Sequence, residues 1–524
     1  MKLAGTSRLA LWPLLALFGV TCSFAQGSLP KGIDDYVERV RRTFDVPGIG
    51  LAVVKDGKVL LAKGYGVRKL GEPAAVDAKT NFGIASNTKA FTATALGLLV
   101  EEGKLEWDAP VIRYLPWFQL SDPYVTRELT IRDLLVHRSG LDLGAGDLLW
   151  WPPSTYDRKE ISRRLRYVPL ATSFRSTYAY DNVLYTVAGE VIEAVSGSSW
   201  EDFVSSRILA RVGMGGSNVR HADAGAGGNV ATPHASLQGV IQPTNPFASD
   251  NTNPAGGINS NAEDMAKWMI VQLDSGRVSD GTSLFAPRLT VQLWRLVTPI
   301  PISTPPPELR KLRSNFRGYG LGFDLFEYGG KKMVSHTGGL PGYVSRVTMI
   351  PELKLGVVVL TNQESSEAFE AITYRILDHF LGMTETDWVE AFRTVQLRDD
   401  SLLAVRTQKV RAARDSTSRP SLALEKYAGT YADAWYGDIL ITMEEGRLVI
   451  SFSKTPSLIG DLTHWQYDTF VARWRDRELR ADAFVTFALN PDGTIDQAKI
   501  RAVSPATDFS FDFQHLLLKP KPQE

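Results

Sequence analysis

The hydrophobic pattern divides the chain into stretches of different rhythm. Ile33 to Phe44 has helical spacing and breaks at Val46-Pro47-Gly48. Ile49 to Val54 and Lys58 to Gly66 read as two strands around Lys55-Asp56-Gly57, whose Asp-Gly suits a tight hairpin turn. Ala90 to Val100 is strongly apolar and predicts a buried central helix, with Gly103 placed as its C-terminal stop. From about residue 104 to 315 the pattern is irregular and rich in Trp, Pro and Gly. Several short helices are expected there, two of them with marked starts. One starts at Thr130-Ile131-Arg132-Asp133 with Thr130 as its cap. The other starts at Ser260-Asn261-Ala262-Glu263, in capping-box form, and runs to Leu273.

Strand patterns return from Tyr319. Met333 to Thr337, Tyr343 to Ile350 and Leu355 to Thr361 predict consecutive antiparallel strands, and Ala368 to Leu381 a closing helix. Residues 398 to 420 are charged with little apolar periodicity and read as a linker. From Tyr427 the rhythm changes to short alternating strands: Gly437 to Met443, Arg447 to Ser453, Trp465 to Trp474, Ala483 to Leu489 and Ala498 to Val503. Glu445-Gly446 and Pro491-Asp492-Gly493 mark turns between them. This predicts an independent all-β unit, a small barrel. The expected organisation is a signal peptide at 1–25, a catalytic domain at 26–397, a linker at 398–420 and a barrel at 421–524.

Composition narrows the picture. The chain has 524 residues, too many for one core, with 44% hydrophobic and 22% charged residues. Lys plus Arg equals Asp plus Glu at 58 each, so nothing in the bulk charge favours nucleic acid or an anionic membrane. Lys2 and Arg8 followed by an apolar run of 12 residues, Leu9 to Val20, read as an export signal too short to span a bilayer. Ser23-Phe24-Ala25 predicts cleavage after Ala25, hence a periplasmic or secreted protein. Cys22 suggests lipid attachment, but Thr21 and Gly19 fit such a site poorly. It is also the one cysteine, so the mature protein has no disulfide, no Cys-based zinc site and no Cys nucleophile. No later segment predicts a membrane span.

Candidate chemistry begins at Ser86-Asn87-Thr88-Lys89. Three residues apart on a helix, the Ser hydroxyl and Lys ammonium share a face. A serine hydroxyl needs a base, and lysine serves only when burial lowers its pKa toward neutrality. The spacing recurs at Ser28 to Lys31 and Ser451 to Lys454, but only the middle copy precedes a long apolar helix. Tyr180-Asp181-Asn182 offers a second proton carrier, provided a nearby cation favours its phenolate, and an amide able to orient the lysine. Its bland reading is a loop tyrosine packed with Tyr178 and Tyr185. His336-Thr337-Gly338-Gly339 lies on a predicted strand whose glycines admit a ligand close to the backbone. An N–H there, with that of Ser86, could form an oxyanion hole. Its bland reading is a turn into Leu340-Pro341-Gly342.

The three motifs in this order match the Ser-x-x-Lys, Tyr/Ser-x-Asn and Lys-Thr-Gly-type set of penicillin-recognising enzymes. The stretch TNFGIASNTKAFTATALGLLVEEGKLEWDAPVIRYLPWF (80–118) resembles the nucleophile region of the serine beta-lactamase-related hydrolases. TIRDLLVHRSGL (130–141), PAGGINSNAEDMAKWM (254–269) and HTGGLPGY (336–343) resemble further signatures of that family. The likeness spans about residues 30 to 385. YAGTY (427–431) opens a tail similar to the lipocalin-like barrel often appended to the family.

The resemblance implies an α/β (α+β) fold: a transpeptidase-like antiparallel sheet flanked by helices, beside a helical subdomain, with the barrel following. It implies Ser86 as nucleophile and Lys89 and Tyr180 as the proton-handling pair. It places Asn182, His336 and Gly338 against the substrate, with Ser86 and Gly339 giving the oxyanion donors. No cofactor is implied. The partner is a small-molecule or peptide substrate, and oligomerisation through the C-terminal unit stays open. His336 departs from the lysine of beta-lactamases. A neutral histidine attracts a substrate carboxylate weakly, which favours peptide or ester substrates. Trp150, Trp151 and Tyr156 suggest bulky peptide-like ones, and the family likeness allows a peptidase of linearised microcystin.

Competing chemistries find less support. There is no Gly-x-Ser-x-Gly elbow for an α/β-hydrolase and no His-Glu-x-x-His for a metal hydrolase. His137 is expected in the last turn of a short helix, as a cation stabilised by carbonyl ends. A carboxylesterase, a weak beta-lactamase and a non-catalytic ligand sensor remain alternatives on the same fold.

Overall fold

A computed structural model describes residues 27–225 and 227–522; the expected signal, its cleavage point and Cys22 lie outside them. Eight strands form the central antiparallel sheet: β1 (Gly48–Lys55), β2 (Lys58–Gly66), β3 (Thr298–Pro299), β4 (Arg317–Tyr319), β5 (Asp324–Tyr328), β6 (Lys331–Leu340), β7 (Tyr343–Ile350) and β8 (Leu355–Thr361). Their order is β2-β1-β8-β7-β6-β5-β4-β3, so the chain's first hairpin lies beside its late strands. Asp56 and Gly57 both take positive φ, 50° and 75°, the geometry of the tight turn that Asp-Gly predicts.

The period of two sorts β8 between two cores. Val357 and Val359 join the face covered by helices α1 (Ile33–Thr43) and α5 (Ser366–Leu381), whereas Val358 and Leu360 join the opposite face. That second face carries α2 (Thr88–Glu101), α3 (Val183–Ser196) and α4 (Ala262–Leu273) in a mostly helical subdomain. Helix α2 is buried on all sides from Thr88 to Leu99, as its apolar run predicts, and Gly103 follows it at φ 70°.

Several local expectations are corrected. The cap of α4 is Asn261, whose side chain accepts from Asp264 N at 2.9 Å, one residue later than the capping-box reading of Ser260. Thr130 precedes only a single 3-10 turn at Asp133–Leu135, because Asp133 turns back to bond the Thr130 N–H and hydroxyl. Most of the supposed linker is helix: α6 runs from Trp388 to Ala412. Only Trp388, Val389 and Phe392 on it are buried, so the remainder lacks the apolar period that would have announced it.

The C-terminal unit is a closed barrel of eight strands in sequential order, Gly429–Asp433 to Leu517–Pro520. Sequence periodicity finds five of them. Trp465 to Trp474 is in fact two strands, Ile459–Gln466 and Thr469–Trp474, reversed at Tyr467 where φ is 48°. Aromatic side chains such as Tyr436, Phe452, Trp474 and Phe513 pack against one another and fill the interior. The helices, antiparallel sheet and barrel are the architecture of a beta-lactamase or transpeptidase-like protein with an added barrel.

Candidate active site

The segment that carries Ser86, the candidate nucleophile, is held by its neighbours before any chemistry is asked of it. Ala85 takes φ 48°, a left-handed conformation that costs a non-glycine residue about 1 kcal/mol or more. The strain persists because the flanks are fixed. Ser345 Oγ donates to Ile84 O at 2.8 Å, Asn87 Nδ2 donates to Ser345 Oγ at 2.8 Å, and Thr88 Oγ1 accepts from Ile258 N at 3.1 Å. This presents Ser86 at the mouth of α2, beside the helix N-terminus.

Lys89 is fully buried and its Nζ has three oxygen neighbours: Ser86 Oγ at 3.0 Å, Asn182 Oδ1 at 2.8 Å and Ala255 O at 2.9 Å. Three N–H groups of an ammonium satisfy this set, and a neutral amine fits it too. Two N–H groups go to the two carbonyl oxygens, and the lone pair is left facing the serine hydroxyl. Burial lowers the Lys89 pKa to about 7, against the pull of the Asp147 and Asp181 carboxylates.

Tyr180 is brought to the same place. Ser86 is close enough to lower the pKa of its hydroxyl, and its ring centroid lies 4.9 Å from Lys89 Nζ. The ammonium was expected to favour a phenolate. Burial instead raises the Tyr180 pKa well above its usual value, and the Ser86 contact offsets this only in part. Tyr180 is therefore a neutral phenol here.

His336 is also buried. Its Nε2 lies 2.6 Å from Tyr319 Oη and its Nδ1 lies 2.6 Å from Thr337 O, so Nδ1 carries the hydrogen and Nε2 accepts. Burial first, then the charge of Lys89, lowers its pKa to about 3. His137 fails its expected role. It follows the 3-10 turn at φ 57°, is wholly buried against the Tyr180 ring at 4.3 Å, and burial lowers its pKa, so it is no helix-end cation.

Ser86, Tyr180, Asn182 and His336 line a cavity of about 340 Å³ with Thr337, Gly339 and an aromatic wall that includes Trp150, Trp151 and Phe247, and Lys89 lies buried behind Ser86. Gly339 has open space around it, as an oxyanion donor needs. Gly338, expected against the substrate, is not part of the lining. A Cβ there would lie 2.2 Å from Ile84 O, so its task is to let the strand approach the nucleophile turn. Tyr156 is also displaced from its expected role, because its hydroxyl bonds Tyr436 O of the barrel.

Sequence reasoning missed Asp147 and the barrel segment opposite it. Asp147 is fully buried and accepts from Trp150 Nε1 at 2.9 Å, Asn182 Nδ2 at 2.8 Å and Ser510 Oγ at 2.8 Å. Burial pushes its pKa up to about 8 against these donors. Phe509 packs edge-on against Tyr180 at 6.1 Å, and Asp512 accepts from Gly146 N and Leu148 N at 2.7 and 3.1 Å. No local motif marks these residues, since more than 350 positions separate Asp147 from Ser510.

A family model described as Beta-lactamase matches residues 33–380, and one described as a domain of unknown function, DUF3471, matches 413–520. The chain is 30% identical over 489 residues to the unguisins hydrolase ungD' of Aspergillus campestris, covering 88% of each protein. It is 25% identical over 358 residues to protein flp of Staphylococcus aureus, covering 66% of each. In fold it matches the octameric penicillin-binding protein homologue from Pyrococcus abyssi at a TM-score of 0.58 and 21% identity, over 93% of this chain and 99% of that one. The penicillin-binding protein from Bacillus halodurans matches at a TM-score of 0.54 and 23% identity, over 66% of this chain and all of that one.

Proposed function

The chain belongs to the beta-lactamase family, and from that premise we propose that it is a secreted serine hydrolase cleaving an amide bond in a peptide-like substrate through an acyl-enzyme on Ser86. The observation that carries this reading is the placement of Lys89, wholly buried, 3.0 Å from the Ser86 hydroxyl and with its pKa lowered to about 7.

In the reading proposed, Lys89 takes the Ser86 proton as Oγ attacks the substrate carbonyl. The Ser86 and Gly339 N–H groups hold the oxygen as it gains charge. Tyr180, a phenol at this stage, gives its proton to the departing nitrogen and is restored by the Lys89 ammonium. A water then repeats the sequence on the ester and frees Ser86. Asn182 holds Lys89 on one side and reaches the cavity on the other.

Substrate class follows from what surrounds the attack site. His336 is neutral across the working pH range and its two ring nitrogens are already engaged, so it offers a substrate carboxylate no cation. That argues against efficient beta-lactam turnover. Trp151 stacks on Phe247 at 5.1 Å and supplies a flat apolar wall suited to large side chains. Two relatives are named as hydrolases of unguisins, which fits amide or ester cleavage. Modified, D-amino-acid or linearised cyclic peptides, microcystin among them, belong to this class. Placement outside the cytoplasm rests on the N-terminal run of residues 1–25.

The test is labelling of the intact protein with a fluorophosphonate, followed by turnover on peptide, D-amino-acid, ester and beta-lactam panels. A Ser86 adduct absent from Ser86→Ala, with amide turnover leading the panel, is the expected result. Dominant nitrocefin turnover reverses the substrate assignment, and no adduct favours a ligand sensor.

A further inference from the structure

The catalytic cavity does not end at Ser86. Trp151, Phe247, Gly339, Leu340 and Asp508 line it and also line a second, larger cavity of about 1060 Å³. The first, at about 340 Å³, is near the lower limit for a small-molecule site. A longer substrate must continue past the shared wall.

Three parts of the chain meet around the second cavity. The catalytic domain gives Trp151, Phe247 and Leu340, the barrel gives Leu479 and Phe511, and helix α6 gives Leu403. The walls are tied together across the gap, so the space is preformed. Arg480 of the barrel makes a bidentate pair with Glu364 at 2.5 and 2.6 Å, and Glu478 accepts from Asn245 N and Nδ2 at 3.0 and 3.2 Å. The lining is also one-sided in charge. Glu364, Asp400, Asp476, Glu478 and Asp508 face a single guanidinium, Arg480, which Glu364 already holds.

We propose that this interdomain cavity is an extended subsite, which holds the apolar chain of a peptide substrate beyond the residues at the scissile bond and favours positive over negative charge on it. The inference rests on the serine-hydrolase reading for its chemistry but not for its binding. Apolar walls from three elements stabilise a bound chain by removing its side chains from water. The excess of carboxylates repels an acidic peptide and attracts a basic one. The barrel is thus part of the substrate site, and its solid aromatic interior leaves the outer face and loops as its working surface.

The experiment uses full-length protein and two probes. Wild-type turnover is measured on anilides of one to six Leu, Phe and Ala residues in both chiral series, with one Lys or one Glu at the far end. Binding of the matching hexapeptide amides to Ser86→Ala protein is followed by calorimetry. Two variants on the outer part of α6, Leu403→Arg and Asp400→Lys, alter the cavity away from the folded core. The expected wild-type result is a gain in kcat/KM of about tenfold or more from one residue to six, with Lys preferred to Glu by about threefold. Leu403→Arg is expected to remove the length gain and weaken hexapeptide binding about tenfold, and Asp400→Lys to narrow the charge preference.

Turnover of short substrates with no gain from length overturns the subsite and leaves the hydrolase reading intact. Hexapeptide binding weakened by Leu403→Arg supports the subsite even where wild type turns nothing over. Absence of both binding and length gain, or a length gain that Leu403→Arg leaves unchanged, overturns it.

Discussion

The Ser510 hydroxyl of the barrel donates to Asp147 Oδ2 at 2.8 Å, and the same oxygen accepts from Asn182 Nδ2 at 2.8 Å. An amide can point either way, and its two ends differ in what they offer. With its NH2 held by the Asp147 carboxylate, Asn182 must turn its oxygen to Lys89. Asp147 therefore orients the group that orients Lys89, and a residue of the barrel holds Asp147 in turn.

Asp147→Asn tests that chain of contacts. The new amide brings a donor toward Asn182, Trp150 and Ser510, which are donors already, so one contact is lost and Asn182 is freed to turn. The expected loss is about 100-fold in kcat/KM, of the order seen when a positioned catalytic group is misaligned. The pH profile separates this from simple damage. With Asp147 raised to about 8 and Lys89 lowered to about 7, the two groups titrate together; the share of charge that Asp147 carries raises the Lys89 pKa, so its removal moves the acid limb to lower pH. Ser510→Ala is expected to act in the same direction and more weakly. A profile that keeps its midpoint in both variants removes Asp147 from the network.

The acid limb itself is predicted to belong to Lys89. Its pKa of about 7 lies within the assay range, whereas that of His336, at about 3, lies below it and Tyr180 is raised far above; Asp147, at about 8, also titrates there, and the profile of Asp147→Asn separates its share. Rates measured from pH 5 to 9 are expected to fall about tenfold for each pH unit below 7. Lys89→Arg, which cannot lose its proton, is expected to lose turnover at every pH.

The same depressed pKa makes Lys89 a cost to folding. The unfolded chain holds the lysine proton up to about 10.5, and the folded chain releases it near 7. Between those values the unfolded state binds more protons, so stability rises with pH, and below 7 the penalty is complete. Lys89→Met removes this dependence. It also strands Asn182 Oδ1 and Ala255 O, but that loss does not vary with pH. Thermal melts of both proteins from pH 6 to 10 are expected to show wild type gaining on Lys89→Met as pH rises. Parallel curves mean that Lys89 stays charged in the fold.

Much of this site was legible because its motifs are local. Ser86 stands in the 3-10 turn that leads into α2 and Lys89 in the first turn of α2, whose apolar run announces its burial, and Tyr180 with Asn182 spans three positions. What could not be read was long-range or conditional. The phenolate expected of Tyr180 fails because burial outweighs the neighbouring amine, and burial is a property of the whole fold. Asp147 stands in an irregular segment with no motif, and its partner Ser510 belongs to another domain. Helix α6 was read as a linker because its outer turns touch solvent and carry no apolar stripe.

Ser86→Ala is expected to abolish turnover, while Ser28→Ala and Ser451→Ala, in the two other copies of the spacing, are expected to retain it. Ser451 lies in a barrel strand, opposite Leu440 and Ile459 in the ladder, and neither it nor Ser28 is part of the cavity lining. Equal losses in all three variants would show that the nucleophile lies elsewhere.

Two adjacent glycines make the sharpest contrast between packing and chemistry. An added Cβ at Gly338 would meet Ile84 O at 2.2 Å, Ser345 Oγ at 2.6 Å and the Ala85 side chain at 3.0 Å. Two of these belong to the turn that presents Ser86, and Ala85 is already strained at φ 48°. Neither can give without moving Ser86. An added Cβ at Gly339 meets nothing within 4 Å. Gly338→Ala is therefore expected to lower stability by roughly 1–3 kcal/mol and to slow fluorophosphonate labelling of Ser86, as overpacking in a fixed core does. Gly339→Ala is expected to leave the melting temperature unchanged, with any loss of turnover arising from its methyl group in the cavity. Melting and labelling rates on the two variants decide this. Equal destabilisation of both would mean that the strand does not lie against the nucleophile turn as described.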